Sequence, residues 1–204
     1  MSNKTNKILF CDVDGILLDF TGYTLSYLAA YYGIKIPDDY VPTSWNMTDL
    51  APKGVEIVRW ESIVPDDWPL HLNAFPKAKK FLNIMHEKGY YIVMVTRLGQ
   101  SLQLLRLENL NKHGLYYDEI YFTAHGQSKA NFINMVLKRH NPKKWIFVDD
   151  KALTCTEILE LKSKNSKVYS LDYPFNANIR KQNPKDLIWL KNEIELYKKV
   201  IDDA

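Results

Sequence analysis

The sequence predicts an α/β fold: a doubly wound, mainly parallel sheet with a small helical cap inserted after its first strand. Three observations predict it. Short apolar runs read as strands, amphipathic helical patterns alternate with them, and one proline- and tryptophan-rich stretch breaks the alternation. The strand-like runs cover 8–12, 91–96, 119–123, 145–149 and 167–171. Several are continuously apolar rather than alternating, as expected of strands covered by helices on both faces.

The helical patterns carry their own punctuation. Residues 76–88 open on Pro76 and stop at Gly89. Residues 101–113 place Leu102, Leu105 and Leu110 at helical spacing and end at Gly114. Residues 127–140 carry Phe132, Ile133, Val136 and Leu137, and 151–164 carry Leu153, Ile158 and Leu161. The tail, 186–201, reads as one helix through Leu187, Leu190, Ile194, Tyr197 and Ile201.

Residues 20–75 hold Pro37, Pro42, Pro52, Pro65 and Pro69 together with Trp45, Trp60 and Trp68. They show one clear helical pattern at 21–33, a second at 53–63, and no convincing strand. The expected division is a catalytic core of 1–19 and 76–204, with 20–75 as a helical cap that excludes water and selects substrates. Its aromatic content is that of a small module building a core, with one or two rings available to stack on a planar substrate.

Composition bounds the function. At 204 residues, 46% hydrophobic and 25% charged, the chain fits a globular domain with one ordinary core. A net charge of +3 is too small to point to a nucleic-acid polymer or a membrane surface. The two cysteines, Cys11 and Cys155, suggest a reducing compartment. No run approaches the ~18 apolar residues of a membrane span. Residues 1–7 are polar, so no signal peptide is expected and the cytoplasm is the expected location.

The chemistry concentrates where apolar runs stop. Asp12-Val13-Asp14-Gly15 follows Ile8-Leu9-Phe10-Cys11. Two carboxylates two positions apart on a turn can bind a divalent cation and share the roles of nucleophile and acid–base. Gly15 and its neighbouring peptides offer N–H groups to phosphoryl oxygens. A hairpin turn is the alternative meaning of Asp14-Gly15. Thr96 ends Ile92-Val93-Met94-Val95, where its hydroxyl can bond a phosphoryl oxygen; Arg97 can add a charged bond or face solvent. Lys129 falls on the first turn of a helix, where a cation is unfavourable unless an anion lies nearby. Asp149-Asp150 ends Trp145-Ile146-Phe147-Val148; adjacent carboxylates suit a metal site, with a helix N-cap as the alternative for one of them.

The four signals in this order resemble the haloacid dehalogenase superfamily of aspartate-nucleophile phosphohydrolases. The resemblance covers residues 8 to about 172, and Asp12-Val13-Asp14-Gly15 and Val148-Asp149-Asp150 are its specific parts. It implies Asp12 as nucleophile and Asp14 as general acid–base, with Thr96 and Lys129 on the phosphate. It implies Mg²⁺ on Asp12, Asp149, Asp150 and the backbone carbonyl of Asp14. Residues 12–20 are also similar to the start of the 5′(3′)-deoxyribonucleotidases, which implies Phe20 in a base pocket, with Trp45-Asn46-Met47-Thr48 similar to an aromatic cap segment there. Arg97 departs from that pattern, as does the length of the segment from Lys129 to Asp149.

The expected function is therefore a Mg²⁺-dependent phosphomonoester hydrolase acting on a small phosphorylated metabolite, a (deoxy)nucleotide among the candidates. The rival readings are a sugar-phosphate phosphatase, a phosphotransferase, or a non-catalytic phosphate-binding or signalling domain. A receiver-type signalling domain opens on its acidic pair, whereas here the pair comes last.

Overall fold

The computed structural model describes residues 5–45, 47, 50, 64–124 and 126–204. Among these residues six strands form one all-parallel sheet: β1 (Lys7–Cys11), β2 (Tyr91–Arg97), β3 (Glu119–Thr123), β4 (Lys144–Asp149), β5 (Ser166–Leu171) and β6 (Leu187–Leu190). Their order across the sheet is β3-β2-β1-β4-β5-β6. The chain thus winds outward from β1 in one direction and then, from β4, in the other. The crevice between the carboxyl ends of β1 and β4 is the topological switch point, where doubly wound folds bind ligands.

Among the described residues, eight α-helices accompany the strands: α1 (Phe20–Tyr32), α2 (Trp68–His71), α3 (Ala78–Glu87), α4 (Gln103–Lys112), α5 (Lys129–His140), α6 (Ala152–Leu159), α7 (Ala177–Gln182) and α8 (Glu193–Asp203). Alternate strand residues feed two cores. Ile8, Phe10, Val93, Val95 and Phe147 pack against Ile133 and Val136 of α5 and Cys155 and Ile158 of α6. Leu9, Cys11, Met94, Ile146 and Val148 pack on the other face with Phe81 and Met85 of α3, Leu110 of α4 and Leu196 and Val200 of α8. This double coverage explains why the strands read as continuous apolar runs.

The tail departs from the sequence expectation. Residues 187–190 form β6, and only 193–203 are helical. The apolar residues of β6 fall by chance at a spacing that continues that of α8. Asn192 separates the two elements: as N-cap its side chain accepts the Glu195 N–H at 2.9 Å, while Glu195 Oε2 reaches back to accept the Lys191 N–H, one residue before the cap, at 3.2 Å. The helix expected at 151–164 ends at Leu159, and the short α2 and α7 had no periodic signal. The helix expected at 53–63 lies outside the described residues.

α8 is fastened to the sheet through Asp203. Its carboxylate accepts the Tyr169 hydroxyl at 2.6 Å and pairs with Lys167 at 3.0 Å and Lys199 at 3.1 Å. Burial alone would raise this carboxyl, but the bonds from Tyr169, Lys167 and Lys199 hold it at about 2, below the ordinary 3.8. A folded value below the unfolded one adds stability that is present above pH ~4 and lost as pH falls through the folded value. Asp203→Asn is therefore expected to cost about 1–3 kcal/mol at pH 7 and almost nothing near pH 2, measured by denaturant unfolding at both pH values.

Candidate active site

The turn after β1 carries the first pair of carboxylates. The Asp12 N–H still donates to Val148 O at 2.9 Å, extending the register with β4, and Val13 N–H donates to Asp12 Oδ1 at 2.7 Å. The chain then closes a tight loop in which Gly15 N–H donates to Leu18 O at 2.9 Å. The hairpin alternative fails, because β1 pairs in parallel with β2 and β4 and residues 16–18 form no strand. Gly15 also differs from expectation. Its N–H is engaged by Leu18, so its place in the site is steric. It sits at φ +76°, and a Cβ there would stand 2.6 Å from Cγ of Asp150.

β4 delivers the second pair. Asp149 is wholly buried and Asp150 nearly so. Asp149 Oδ1 accepts Lys151 N–H at 2.8 Å, but the helix-cap alternative also fails. α6 is entered at Lys151, and its first N–H, from Ala152, goes to Asn176 Oδ1 at 3.0 Å. Asn176 in turn donates to the carbonyls of Asp150 at 2.6 Å and Leu171 at 2.9 Å. A buried side-chain amide from the segment after β5 therefore holds the loop that presents both carboxylates.

Lys129 opens α5 behind the cap Ser128, whose Oγ accepts Ala130 N–H at 3.1 Å. Its ammonium is buried and lies 2.7 Å from Asp12 Oδ2 and 2.8 Å from Asp149 Oδ2. Those carboxylates are the anions that a first-turn lysine calls for. Burial alone would lower its basicity, yet Asp12 and Asp149 raise it above its usual range and keep it charged. Thr96, at the end of β2, is buried with its hydroxyl unpartnered. Arg97, one residue on, turns to the opposite side of the sheet. It is exposed and donates to Gln127 O at 3.4 Å, so it stands outside the carboxylate cluster.

The cluster holds more negative than positive charge. Burial pushes Asp12 up to about 7 against the pull of Lys129, with Asp149 adding to the rise. Burial and then Asp149 raise Asp150 well above its ordinary value, and burial raises Asp14 despite the Arg106 guanidinium beside it. One oxygen of Asp150 is buried without a partner. Ligand atoms of Asp12, Asp149 and Asp150 lie within 4.8 Å of one another, a set of hard oxygen donors that fits Mg²⁺.

Beside these groups opens a small cleft lined by Gly15, Phe20, Thr21, Pro42, Trp45, Met47, Asp150 and Phe175. Phe20 begins α1, which Asp19 caps by accepting Gly22 N–H at 2.7 Å. Phe20 meets Trp68 edge to face at 5.3 Å, and Trp45 meets Phe175 in the same way at 5.3 Å. The two residues expected in a substrate pocket thus line one cleft with Asp150 and Gly15.

Sequence reasoning missed three residues here: Arg106, Phe175 and Asn176. Arg106 is fully buried, with Nη2 at 2.8 and 3.0 Å from the two oxygens of Asp14. It had a signal, since it falls four residues after Leu102 and four before Leu110 on the inward stripe of the helix.

No protein-family model matches the sequence, and no curated protein matches it significantly. Solved structures do match along nearly the whole chain. One is the D,D-heptose 1,7-bisphosphate phosphatase of B. bronchiseptica, complexed with magnesium and phosphate. It is 11% identical with a TM-score of 0.59, over 97% of this chain and 99% of that one. A Burkholderia xenovorans protein provisionally named a haloacid dehalogenase-like hydrolase is 11% identical with a TM-score of 0.60, over 98% of each chain. A Thermotoga maritima protein provisionally named a β-phosphoglucomutase is 16% identical with a TM-score of 0.62, over 96% of this chain and 99% of that one. The fold is the haloacid dehalogenase-like, Rossmann-type α/β fold. Among the described residues, no helix is long and apolar enough to cross a membrane.

Proposed function

We propose that the protein is a Mg²⁺-dependent phosphomonoester hydrolase that works through a phospho-aspartate on Asp12. The observation that carries this reading is the buried set Asp12, Asp149 and Asp150 at the switch point, with Lys129 bridging Asp12 and Asp149 and with Asp14 two residues beyond Asp12. Asp12, Asp149, Asp150 and the backbone carbonyl of Asp14 would hold Mg²⁺, which when bound neutralises charge on the carboxylates and a phosphoryl oxygen. The Asp12 carboxylate attacks phosphorus as the bond to the leaving oxygen breaks. Asp14 gives that oxygen a proton. Asp14 then takes a proton from water, whose oxygen attacks the same phosphorus, releasing phosphate and restoring Asp12. Lys129 and the Thr96 hydroxyl steady the phosphoryl oxygens; Lys129 is already charged and Thr96 is without another partner.

The substrate in this reading is a small phosphorylated metabolite, with a (deoxy)nucleoside 5′-monophosphate as the leading class. The aromatic cleft beside Asp150 supports that choice, since rings there can stack on a base. The segment 20–75 acts as the cap, with Phe20 and Thr21 of α1 and Pro42, Trp45 and Met47 supplying its contribution to the cleft. Both cysteines are buried and outside any disulfide, which fits a cytoplasmic enzyme.

The test is phosphate release from a panel of phosphomonoesters, nucleotides and sugar phosphates included, with and without Mg²⁺. Mg²⁺-dependent turnover is expected, and its absence from the whole panel would overturn the reading. Phe20→Ala is expected to raise KM for a nucleoside monophosphate about 5- to 100-fold, the size of one lost stacking contact, while leaving KM for a small generic ester within about 2-fold. Equal effects on both esters would remove the stacking role.

A further inference from the structure

We infer that Arg106 is the positioning residue for proton transfer: it fixes the Asp14 carboxyl toward the leaving oxygen of the substrate. The inference rests on the hydrolase reading above and deepens it. Arg106 has no solvent exposure, and its Nη2 straddles both oxygens of Asp14, at 2.8 and 3.0 Å. Its Nε and Nη1 are buried without partners. A guanidinium held this way is a poor source of stability, because desolvation costs several kcal/mol per ion and most of its donors recover nothing. A methionine or leucine between Leu102 and Leu110 would serve packing better. What the charge does accomplish is local to Asp14.

The arginine is itself held firmly. The Trp68 ring lies 5.3 Å from its guanidinium carbon, and Trp68 in turn packs on Phe20, which lines the cleft. One turn further along α4, the Asn109 amide donates to the carbonyls of Leu70 at 2.7 Å and Leu72 at 3.0 Å, tying α4 to the α2 segment. Asp14 stands on a turn, and the arginine that grips it stands on a fastened helix. An acid–base group contributes only when aimed within hydrogen-bond reach of the proton's destination.

Leaving-group dependence separates this role from a structural one. An alkyl phosphate needs a proton on its departing oxygen, whereas p-nitrophenol departs readily as the anion. Arg106→Met is expected to lower kcat about 100-fold on an alkyl ester such as glycerol phosphate and less than about 5-fold on p-nitrophenyl phosphate, with Mg²⁺ saturating. In an Asp14→Asn background the same substitution is expected to add less than about 2-fold on either ester. Arg106→Lys keeps the charge and loses the straddling geometry, so it is expected to show the same selective loss, smaller in size. It decides the matter if Arg106→Met does not fold. Equal losses on both esters, no loss on either, or a full further loss in the Asp14→Asn background would overturn the inference. If a nucleoside 5′-monophosphate is the better substrate it serves as the alkyl ester in the same comparison, and a wild-type protein inactive on the whole panel would instead overturn the hydrolase reading beneath it.

Discussion

Asp12→Asn is expected to lower turnover by about 10⁴-fold or more while the protein stays folded. The magnitude is that of removing a nucleophile for which nothing nearby can substitute. Asp14 is engaged by Arg106, Asp149 ends β4 and is paired with Lys129, and Asp150 stands on the loop after β4. The amide has the shape of the carboxyl it replaces and removes a charge that burial makes costly, as the rise of Asp12 to about 7 indicates. The melting temperature in metal-free buffer should therefore stay within a few degrees of wild type. Steady-state phosphate release together with thermal unfolding monitored by circular dichroism checks both halves. Normal turnover in a folded Asp12→Asn protein would remove the nucleophile assignment.

Gly15→Ala is expected to damage both fold and site, costing about 2–4 kcal/mol and lowering Mg²⁺-dependent turnover at least about 100-fold. Two penalties add. Left-handed backbone costs a non-glycine residue about 1–2 kcal/mol, and the new Cβ would collide with the Asp150 carboxyl group. Asp150 cannot easily retreat, because Asn176 holds its backbone. Gly33 provides the control, since it also has positive φ, +62°, but has nothing within 4 Å of an added Cβ. Gly33→Ala should show only the backbone cost, about 1–2 kcal/mol, with Mg²⁺-dependent turnover unchanged. Denaturant unfolding and a Mg²⁺ titration of activity on both variants separate the collision from the strain. Equal behaviour of the two would show that the approach of Asp150 to Gly15 is unimportant.

The parts of the molecule legible in the sequence are those whose signal is local. Strands β1, β2, β4 and β5 announce themselves because burial on both faces demands unbroken apolar runs, and each site carboxylate stands where such a run stops. Lys129 was legible because a cation on a first helical turn contradicts the helix dipole, and its partners Asp12 and Asp149 resolve the contradiction. Arg106 escapes a reading of the 101–113 stripe that follows apolar residues alone. The helix turns Arg106 and Asn109 inward and leaves Leu104 largely exposed.

Phe175 and Asn176 lie in a segment without periodicity, and their contacts reach to Trp45 and to Asp150 and Ala152. Nothing near them in sequence encodes those partners. β6 was lost for a different reason: Leu187 and Leu190 continue the spacing of Ile194 and Tyr197, although Asn192 and Glu195 mark a helix start between them. Tertiary pairing with β5 overrides the apparent helical period.

The central claim is that phosphate passes through the carboxylate of Asp12, and trapping the acyl phosphate tests it most directly. The protein with Mg²⁺ and the best panel substrate is quenched during turnover, reduced with borohydride and mapped by peptide mass spectrometry. An aspartyl phosphate is reduced to homoserine, whereas a free carboxylate is not. Homoserine at position 12, absent without substrate, is the predicted result. Turnover with an unmodified Asp12, or with the modification on Asp14, Asp149 or Asp150, would contradict it.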